Sequence, residues 1–371
     1  MRSLGDLLKR PGAMVECDDD PEAVFELLCE KGWSDGLPVI PPTPERVERM
    51  LSYCDRDLDK PVVKIPPRYG AATPIRVAAN AVMAGCKPEH FPLVLLALEA
   101  MAEEPYNLYG TQATTHPCTP LLIFNGPIAR ELGINCGHNV MGNYFRPNAV
   151  IGRAVRLALV NIGAAIPGIG DMATHGTPAK FTYCIAENEA QSPWEPLHVE
   201  LGFPKDATAV TVVAGEGPHN INDHESLTPE GILTMCAGTI ATTGSNNAYY
   251  RGQPVLAFGP EHAATVASGG MTKREVKQWL YDHATIPLSK FSKEGIERRF
   301  RRKQADEFAN APLDAPVHMW KKPDDLIVVV TGGAGKHSQY VPTFGNTRAV
   351  TRMLTRASGE IVKNIGEFKS A

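Results

Sequence analysis

The sequence predicts an α/β fold in which a buried mixed or parallel β-sheet is covered by helices. Four strand-length apolar runs each end at a glycine-containing turn followed by polar residues, within 121–127, 210–219, 255–262 and 326–337. Runs that are apolar on both faces are typical of strands buried on both sides. Ligands of such sheets bind beyond the carboxyl ends of the strands. The sequence therefore predicts where a site lies, but not which reaction takes place there.

Helix signals separate these runs. Proline at the first turn and Ser or Thr before it favour helix starts, and Thr272 with Glu275 forms a capping box. The predicted helices are 21–31, a segment after Thr43, 74–83, 88–101, 148–162, 229–239, 272–283 and an exposed, charged helix over 293–308.

The order of these elements suggests two related halves. A helix, a strand and a Gly-Pro turn at Gly126-Pro127 resemble a helix, a strand and a Gly-Pro turn at Gly259-Pro260. We expect an N-terminal helical and Pro-rich segment over 1–60, a first α/β half over 61–200 and a second over 201–371. Two related halves place a cleft between them, where small-molecule sites tend to lie.

Composition excludes several classes of function. The 371 residues carry 37 Lys plus Arg and 41 Asp plus Glu, a net charge of −4 that gives no nucleic-acid footprint. The basic run 298–303 is interpreted as a solvated helix face. No stretch reaches the roughly 20 apolar residues of a membrane helix, and residues 1–6 show no signal core, so we expect a cytoplasmic protein. Eight scattered cysteines without a CxxC pair argue against a zinc ribbon and a disulfide framework.

The densest cluster of reactive side chains lies in 216–224, where Glu216, His219 and His224 follow a buried run. A His–carboxylate pair suits proton transfer near neutral pH. The same groups can ligate a metal, although His219 and His224 are five residues apart and do not share a helix face. Hydrogen bonding to the backbone of an irregular loop is the third interpretation.

The segment 332–338 follows the last buried run and is rich in glycine. It is predicted to form a backbone nest for an anion, with Lys336 adding charge and His337 and Ser338 available for catalysis or binding. Its spacing is not that of a nucleotide phosphate loop. A turn that merely admits close packing is the alternative. Glu261 and His262, after the third run, are further substrate-binding candidates.

The first half offers a second group of candidates. Polar residues of 111–120, with His116, and Asn125 at the end of the first run suit binding of a polar substrate. Cys86 lies between two predicted helices, where a helix terminus can lower a thiol pKa, so it is a candidate nucleophile. A buried structural cysteine is the alternative. No NAD or nucleotide signature is present, and a transition metal remains an open alternative.

Several blocks resemble a bacterial family, the Sec-Gly-Ser-Cys-motif (seleno)proteins. They are Gly32-Trp33-Ser34-Asp35-Gly36-Leu37-Pro38, Ala84-Gly85-Cys86-Lys87-Pro88, Ile151-Gly152-Arg153-Ala154 and Ala186-Glu187-Asn188-Glu189. The resemblance spans most of residues 31–350, but the chain has no Cys-Gly-Ser-Cys. It implies a large portion that forms the substrate pocket for a small partner subunit bearing a thiol or selenol, in a homo- or hetero-oligomer. It assigns no catalytic residue.

The function expected is an enzyme, or the substrate-binding catalytic subunit of one, of oxidoreductase or lyase type, acting on a small polar molecule by acid–base chemistry. The alternatives are a metal-dependent hydrolase or lyase using His219 and His224, and a non-enzymatic ligand-binding protein. The sharpest expectation is spatial: the loops after the four runs should converge on one cleft, because parallel strands present their carboxyl ends at one sheet edge.

Overall fold

A computed structural model of the chain describes residue 5 and residues 14–369. The expectation about a signal core in residues 1–6 falls, apart from residue 5, outside the described residues. The α/β class predicted from sequence is confirmed, since helices alternate with sheets that contain both parallel and antiparallel pairs.

Six of the following helices begin at a proline, and the helix predicted from Pro88 begins at Phe91 after a 3-10 turn over Pro88–His90. The helices are α1 Pro21–Glu30, α2 Pro44–Leu51, α3 Pro74–Ala84, α4 Phe91–Met101, α5 Leu108–Ala113, α6 Pro127–Glu131, α7 Arg146–Asn161, α8 Leu197–Glu200, α9 Pro229–Ile240, α10 Asn246–Tyr250, α11 Pro260–Ser268 and α12 Lys273–His283. The capping box at α12 is confirmed, because Thr272 and Glu275 each accept a backbone N–H of the other.

The strands include all four predicted apolar runs. They are β1 Val63–Ile65, β2 Gly70–Ala72, β3 Thr119–Asn125, β4 Cys184–Ala186, β5 Ala209–Gly215, β6 His219–Asn222, β7 Val255–Phe258, β8 Thr285–Pro287, β9 Pro316–His318, β10 Ile327–Val330, β11 His337–Val341 and β12 Val350–Met353. Every residue of β3, β5, β7 and β10 is buried, as the sequence predicts.

The chain divides into two compact units. Of the described residues, the first unit holds those within Met1–Glu187, His198–Ala214 and Ala349–Ala371, and the second holds Asn188–Leu197 and Gly215–Arg348. This division differs from the segments expected from sequence, which assigned everything after residue 200 to the second half. Strands β5 and β12 belong to the sheet of the first unit, because they pair with each other and β5 neighbours β3.

The first unit contains the sheet β12-β5-β3-β4, in which β3 and β4 are parallel and β12 and β5 antiparallel. The second unit contains the sheet β10-β7-β11-β6. There β10 and β7 are parallel, while β11 is antiparallel to both β7 and β6. The four buried runs therefore fall two to a sheet.

One face of the second sheet forms the core of its unit. Strand register puts Tyr340, Leu256 and Val328 side by side on that face, and Ile221, which pairs with Ser338, lies on the same face two residues along. All four belong to a single cluster of buried apolar residues with helices α9, α11 and α12. Because side chains alternate along a strand, the neighbouring residues of β6 and β11 face the other way.

The segment predicted as one exposed helix over 293–308 is helical except at Gln304, but it is irregular and partly buried. The segment is broken into a helical turn Lys293–Gly295, a π-helical turn Ile296–Arg301 and a short helix Ala305–Phe308. Phe300 and Phe308 are buried and pack edge to face, and aromatic burial at this spacing overrides the charged composition. The basic run is not a uniformly solvated face, since the guanidinium of Arg299 stacks on the Tyr250 ring.

Candidate active site

Three strand ends of the second unit meet at one edge of its sheet. Strands β6 and β7 are both antiparallel to β11, and β10 is parallel to β7, so β6, β7 and β10 all run in the same direction. Their carboxyl ends lead into 223–226, 259–262 and 331–336. The topological argument made from sequence therefore holds for the loops after the third and fourth apolar runs, β7 and β10, whereas residues 223–226 reach this edge through β6, which the sequence did not predict as a strand.

Two exposed histidines meet at this edge. The Nε2 atoms of His224 and His337 are 3.3 Å apart, and the rings pack edge to face with centroids 5.1 Å apart. His224 follows β6 and His337 begins β11, and the antiparallel pairing of the two strands brings them together across 113 residues of sequence.

Asn220 fixes the hydrogen-bonding role of His337. Its Oδ1 lies 3.2 Å from Nδ1 of His337, and an amide oxygen can only accept. Nδ1 is then the donor, and in that tautomer Nε2 is an acceptor that faces Nε2 of His224. His224 donates the proton of that contact, which leaves the two rings in complementary roles.

A buried histidine lies beneath the exposed pair and joins the two segments that carry it. His262 is 1% exposed; its Nε2 is 2.9 Å from the carbonyl oxygen of Asp223, and its Nδ1 is 2.8 Å from Oγ of Ser338. A carbonyl only accepts, so Nε2 donates, and Nδ1 accepts from the Ser338 hydroxyl. Asp223 precedes His224 and Ser338 follows His337, so His262 braces both.

The glycine-rich turn is held by the protein's own charged side chains. The backbone N–H of Gly335 donates to Oε1 of Glu261 at 2.6 Å, and the ammonium of Lys336 donates to the carbonyl of His224 at 2.9 Å. The Gly335 N–H of the predicted anion nest is thus occupied by the chain's own Glu261 carboxylate. Lys336 binds the His224 carbonyl and so holds the segment that carries this histidine.

Close packing also shapes this edge. A Cβ on Gly259 would lie 2.1 Å from the carbonyl oxygen of His337, and the N–H of Gly259 donates to Oγ of Ser338 at 3.2 Å. Only glycine allows the start of α11 to approach β11 this closely.

Asp223 carries a buried charge next to His262. Burial raises the pKa of its carboxyl group, but hydrogen bonds from Ser226 and Glu225 and the nearby His262 outweigh burial, so the pKa lies below its usual value. Its Oδ1 accepts the N–H groups of both residues, which fixes the turn that presents His224.

Glu216 and His219 lie at the opposite end of the short strand β6. His219 pairs with Tyr340, three residues or about 10 Å along the strand from the Asn222 end. Strand alternation gives it the face of Ile221, not that of His337. The N–H of Glu216 donates to the carbonyl of Pro342, beyond the far end of β11. The prediction of one catalytic loop over 216–224 is wrong, because residues 219–222 form a strand.

The candidates of the first unit are mostly buried. At the carboxyl ends of the parallel strands β3 and β4, Nδ2 of Asn125 donates to Oε2 of Glu187 at 2.6 Å, and both side chains are less than 5% exposed. His116 lies just before β3 and is partly exposed.

Cys86 has the surroundings of a structural thiol. Its side chain is buried, its Sγ donates to the carbonyl of Val150 at 3.3 Å, and burial raises the pKa of the thiol although Arg146 and Arg153 lower it. A catalytic thiolate requires a lowered pKa. The helix-terminus argument made from sequence is outweighed by desolvation, and all eight cysteines are free thiols.

Sequence reasoning missed three amide side chains on the face of His337. Asn222 is paired with His337, and Asn220 with Gln339. Their signal was the period-two pattern of His337-x-Gln339 and Asn220-x-Asn222 around buried Ser338 and Ile221. The polar composition of 219–222 and 337–339 had favoured loops.

Among the described residues, no group of three or more His, Cys, Asp or Glu side chains is placed to hold a metal ion. In the same part of the chain, no helix is long and apolar enough to cross a membrane. No family model matches the chain, and a search of curated proteins gives no significant match.

Proposed function

We propose that the chain is an enzyme, or the substrate-binding catalytic subunit of one, that acts on a small polar molecule by acid–base chemistry at His224 and His337. The observation that carries this proposal is the 3.3 Å contact between the two Nε2 atoms, with Asn220 on the far nitrogen of His337. One ring is the donor and the other the acceptor at a single exposed point.

This arrangement supports proton transfer to and from a bound substrate. A substrate group that displaces the contact between the two Nε2 atoms meets an imidazole acceptor on His337 and an imidazole donor on His224. The amides of Asn220, Asn222 and Gln339 on the same face suit a substrate rich in hydroxyl, carbonyl or carboxylate groups. The brace formed by His262 holds both segments, as positioned proton transfer requires.

The resemblance to the Sec-Gly-Ser-Cys-motif family supports a further part of the proposal. A small partner subunit that bears a thiol or selenol would supply the nucleophile, and this chain would supply the proton-transfer groups. In that arrangement the pair deprotonates or protonates the substrate while the partner attacks it. Purification with a co-expressed Sec- or Cys-containing subunit tests the association directly.

The first test is turnover of unidentified metabolites. Purified protein is incubated with a small-molecule extract, and depletion of each compound is followed by mass spectrometry. We expect the wild type to deplete at least one small polar compound and His337→Gln or His224→Gln to slow depletion by about 10²–10⁴-fold, the usual contribution of a general acid or base.

His219→Gln is the matched control, because His219 is also an exposed histidine. It begins β6, the strand that leads to His224, and so lies at the other end of that strand. The variant should keep wild-type turnover. If His219→Gln abolishes turnover while His337→Gln retains it, the site is at the other end of β6 and the proposal fails.

A further inference from the structure

A second polar site lies in the first unit, around the buried guanidinium of Arg156 on α7. Arg156 is 8% exposed, and its Nη1 donates to Oε1 of Gln112 at 3.4 Å. Its Nη2 is 3.7 Å from Oδ2 of Asp171. This site is independent of the histidine pair and of the function proposed for it.

Positive charge is in excess at this site. Asp171, which is 6% exposed, supplies the carboxylate that faces Arg156. Its Oδ2 also accepts from the ammonium of Lys180 at 2.5 Å. Two cations therefore share one carboxylate, which leaves a net charge of +1. The ammonium of Lys180 is the nearer cation and its side chain is 18% exposed, so the deeply buried Arg156, 3.7 Å away, is the less well neutralised of the two. A buried charge that is poorly neutralised is unfavourable.

Two buried hydrogen-bond donors at this site have no partner within the described part of the chain. They are the Nε2 amide of Gln112, whose side chain is 3% exposed, and the hydroxyl of Tyr106, which is fully buried. The amide of Gln112 cannot be reversed without turning its NH₂ group toward the Arg156 guanidinium, which is a donor as well.

Tyr106 belongs to the same environment as Arg156. The hydroxyl of Thr111, the residue before Gln112, donates to the carbonyl of Tyr106 at 3.5 Å, so the two residues belong to one packed segment. In keeping with this, burial lowers the pKa of Arg156 while Asp171 and Tyr106 raise it. Gln112 is on α5 and Tyr106 lies just before it, so one short segment contributes both donors.

The missing partner must therefore accept hydrogen bonds and carry negative charge. We propose that Arg156, Gln112 and Tyr106 form a binding site for a small monoanion, such as a halide or a one-carbon carboxylate. The anion neutralises the surplus charge and accepts from Gln112 and Tyr106. Buried polar groups without partners are rare in native proteins and require such an explanation.

The test compares thermal unfolding in sodium bromide or sodium formate with that in sodium isethionate, a bulky anion, at equal ionic strength. We expect the wild type to melt roughly 2–4 °C higher with the small anions, because a ligand that binds only the folded state stabilises it. Tyr106→Phe should weaken this response. Crystals grown in bromide should show an anomalous peak beside Arg156.

Gln112→Glu provides the decisive variant, because it supplies a negative charge beside Arg156 and replaces the amide donor of the proposed anion by an acceptor. It should melt higher than the wild type in isethionate and should lose the response to bromide and formate. Asn80→Asp is the control for a carboxylate introduced at another buried amide of the first unit, and it should lower the melting temperature.

Two results would overturn the proposal. If the salts have equal effects and no anomalous peak appears, the donors bind water and there is no anion site. If Gln112→Glu lowers the melting temperature as Asn80→Asp does, the site holds no surplus of positive charge.

Discussion

The two units contain the same local turn and use it for different purposes. In each, a buried strand ends at a glycine that is followed by a proline and a helix: Gly126-Pro127 after β3, and Gly259-Pro260 after β7. A Cβ on Gly126 would lie 2.1 Å from the carbonyl oxygen of Ala207, and one on Gly259 would lie 2.1 Å from that of His337. Both turns thus allow a very close backbone approach.

The polar groups beside these turns differ in exposure. At the first turn, Asn125 and Glu187 are buried and bonded to each other. At the second, the buried His262 supports an exposed layer formed by His224 and His337. Burial makes a polar pair a structural element that costs stability when it is broken, whereas exposure leaves it free to act on a ligand.

This difference in exposure predicts a large loss of stability for one substitution and almost none for the other. Glu187→Ala should lower the free energy of unfolding by about 2–3 kcal/mol, because the buried amide of Asn125 loses a charged acceptor. His337→Gln should change it by less than about 0.5 kcal/mol, as expected of an exposed side chain. Urea denaturation followed by circular dichroism measures both.

Glu104→Ala, an exposed carboxylate of the first unit, is the control and should leave stability unchanged. A large loss of stability in His337→Gln, or none in Glu187→Ala, would contradict the division into a structural and a functional strand end.

The first unit also buries a histidine, which gives stability a pH dependence. His90 accepts the N–H of Lys87 on Nδ1, and burial lowers its pKa to about 4. Between the unfolded value of about 6.5 and 4, the unfolded chain binds a proton that the folded chain does not. Above pH 6.5 this histidine is neutral in both states and costs no stability. As the pH falls from 6.5 to 4, it lowers the free energy of unfolding.

His90→Asn keeps an acceptor for Lys87 and removes the titration. The wild type should lose about 2 kcal/mol more stability than this variant between pH 7 and pH 4. Denaturation curves at four or five pH values measure the difference. Parallel curves for the two proteins would show that His90 is not a buried neutral histidine.

The smallest expected effect concerns the brace under the exposed pair. Ser338→Ala should cost about 1–2 kcal/mol, because the Nδ1 of His262 and the N–H of Gly259 both lose a partner in a buried place. It should also slow turnover, because the start of β11 is then less firmly positioned. Ser268→Ala, an exposed serine of the second unit, should do neither.

Hydrogen exchange of residues 335–338 distinguishes positioning from simple loss of stability. At pH 7 without denaturant, exchange of 335–338 should increase by a larger factor in Ser338→Ala than exchange of β10, which reports the global loss of stability. If residues 335–338 exchange equally fast in Ser338→Ala and Ser268→Ala, His262 and Ser338 do not position the start of β11.

The sequence by itself determined the buried strands and most helix starts. Strands β3, β5, β7 and β10 are apolar on both faces, and this property needs no partner to be recognised. Proline at the first turn and the Thr272–Glu275 capping box act within a few residues, so they are equally visible in sequence.

Only the tertiary structure decided which polar residues meet. Strands β6 and β11 are short and rich in polar residues, and each begins with an exposed histidine, so nothing local separates them from loops. Their pairing joins His224 to His337 and sends His219 to the other end, and a shift of one residue would have changed every face. Desolvation likewise decided the role of Cys86, because burial depends on the packing of distant segments that the sequence order does not show.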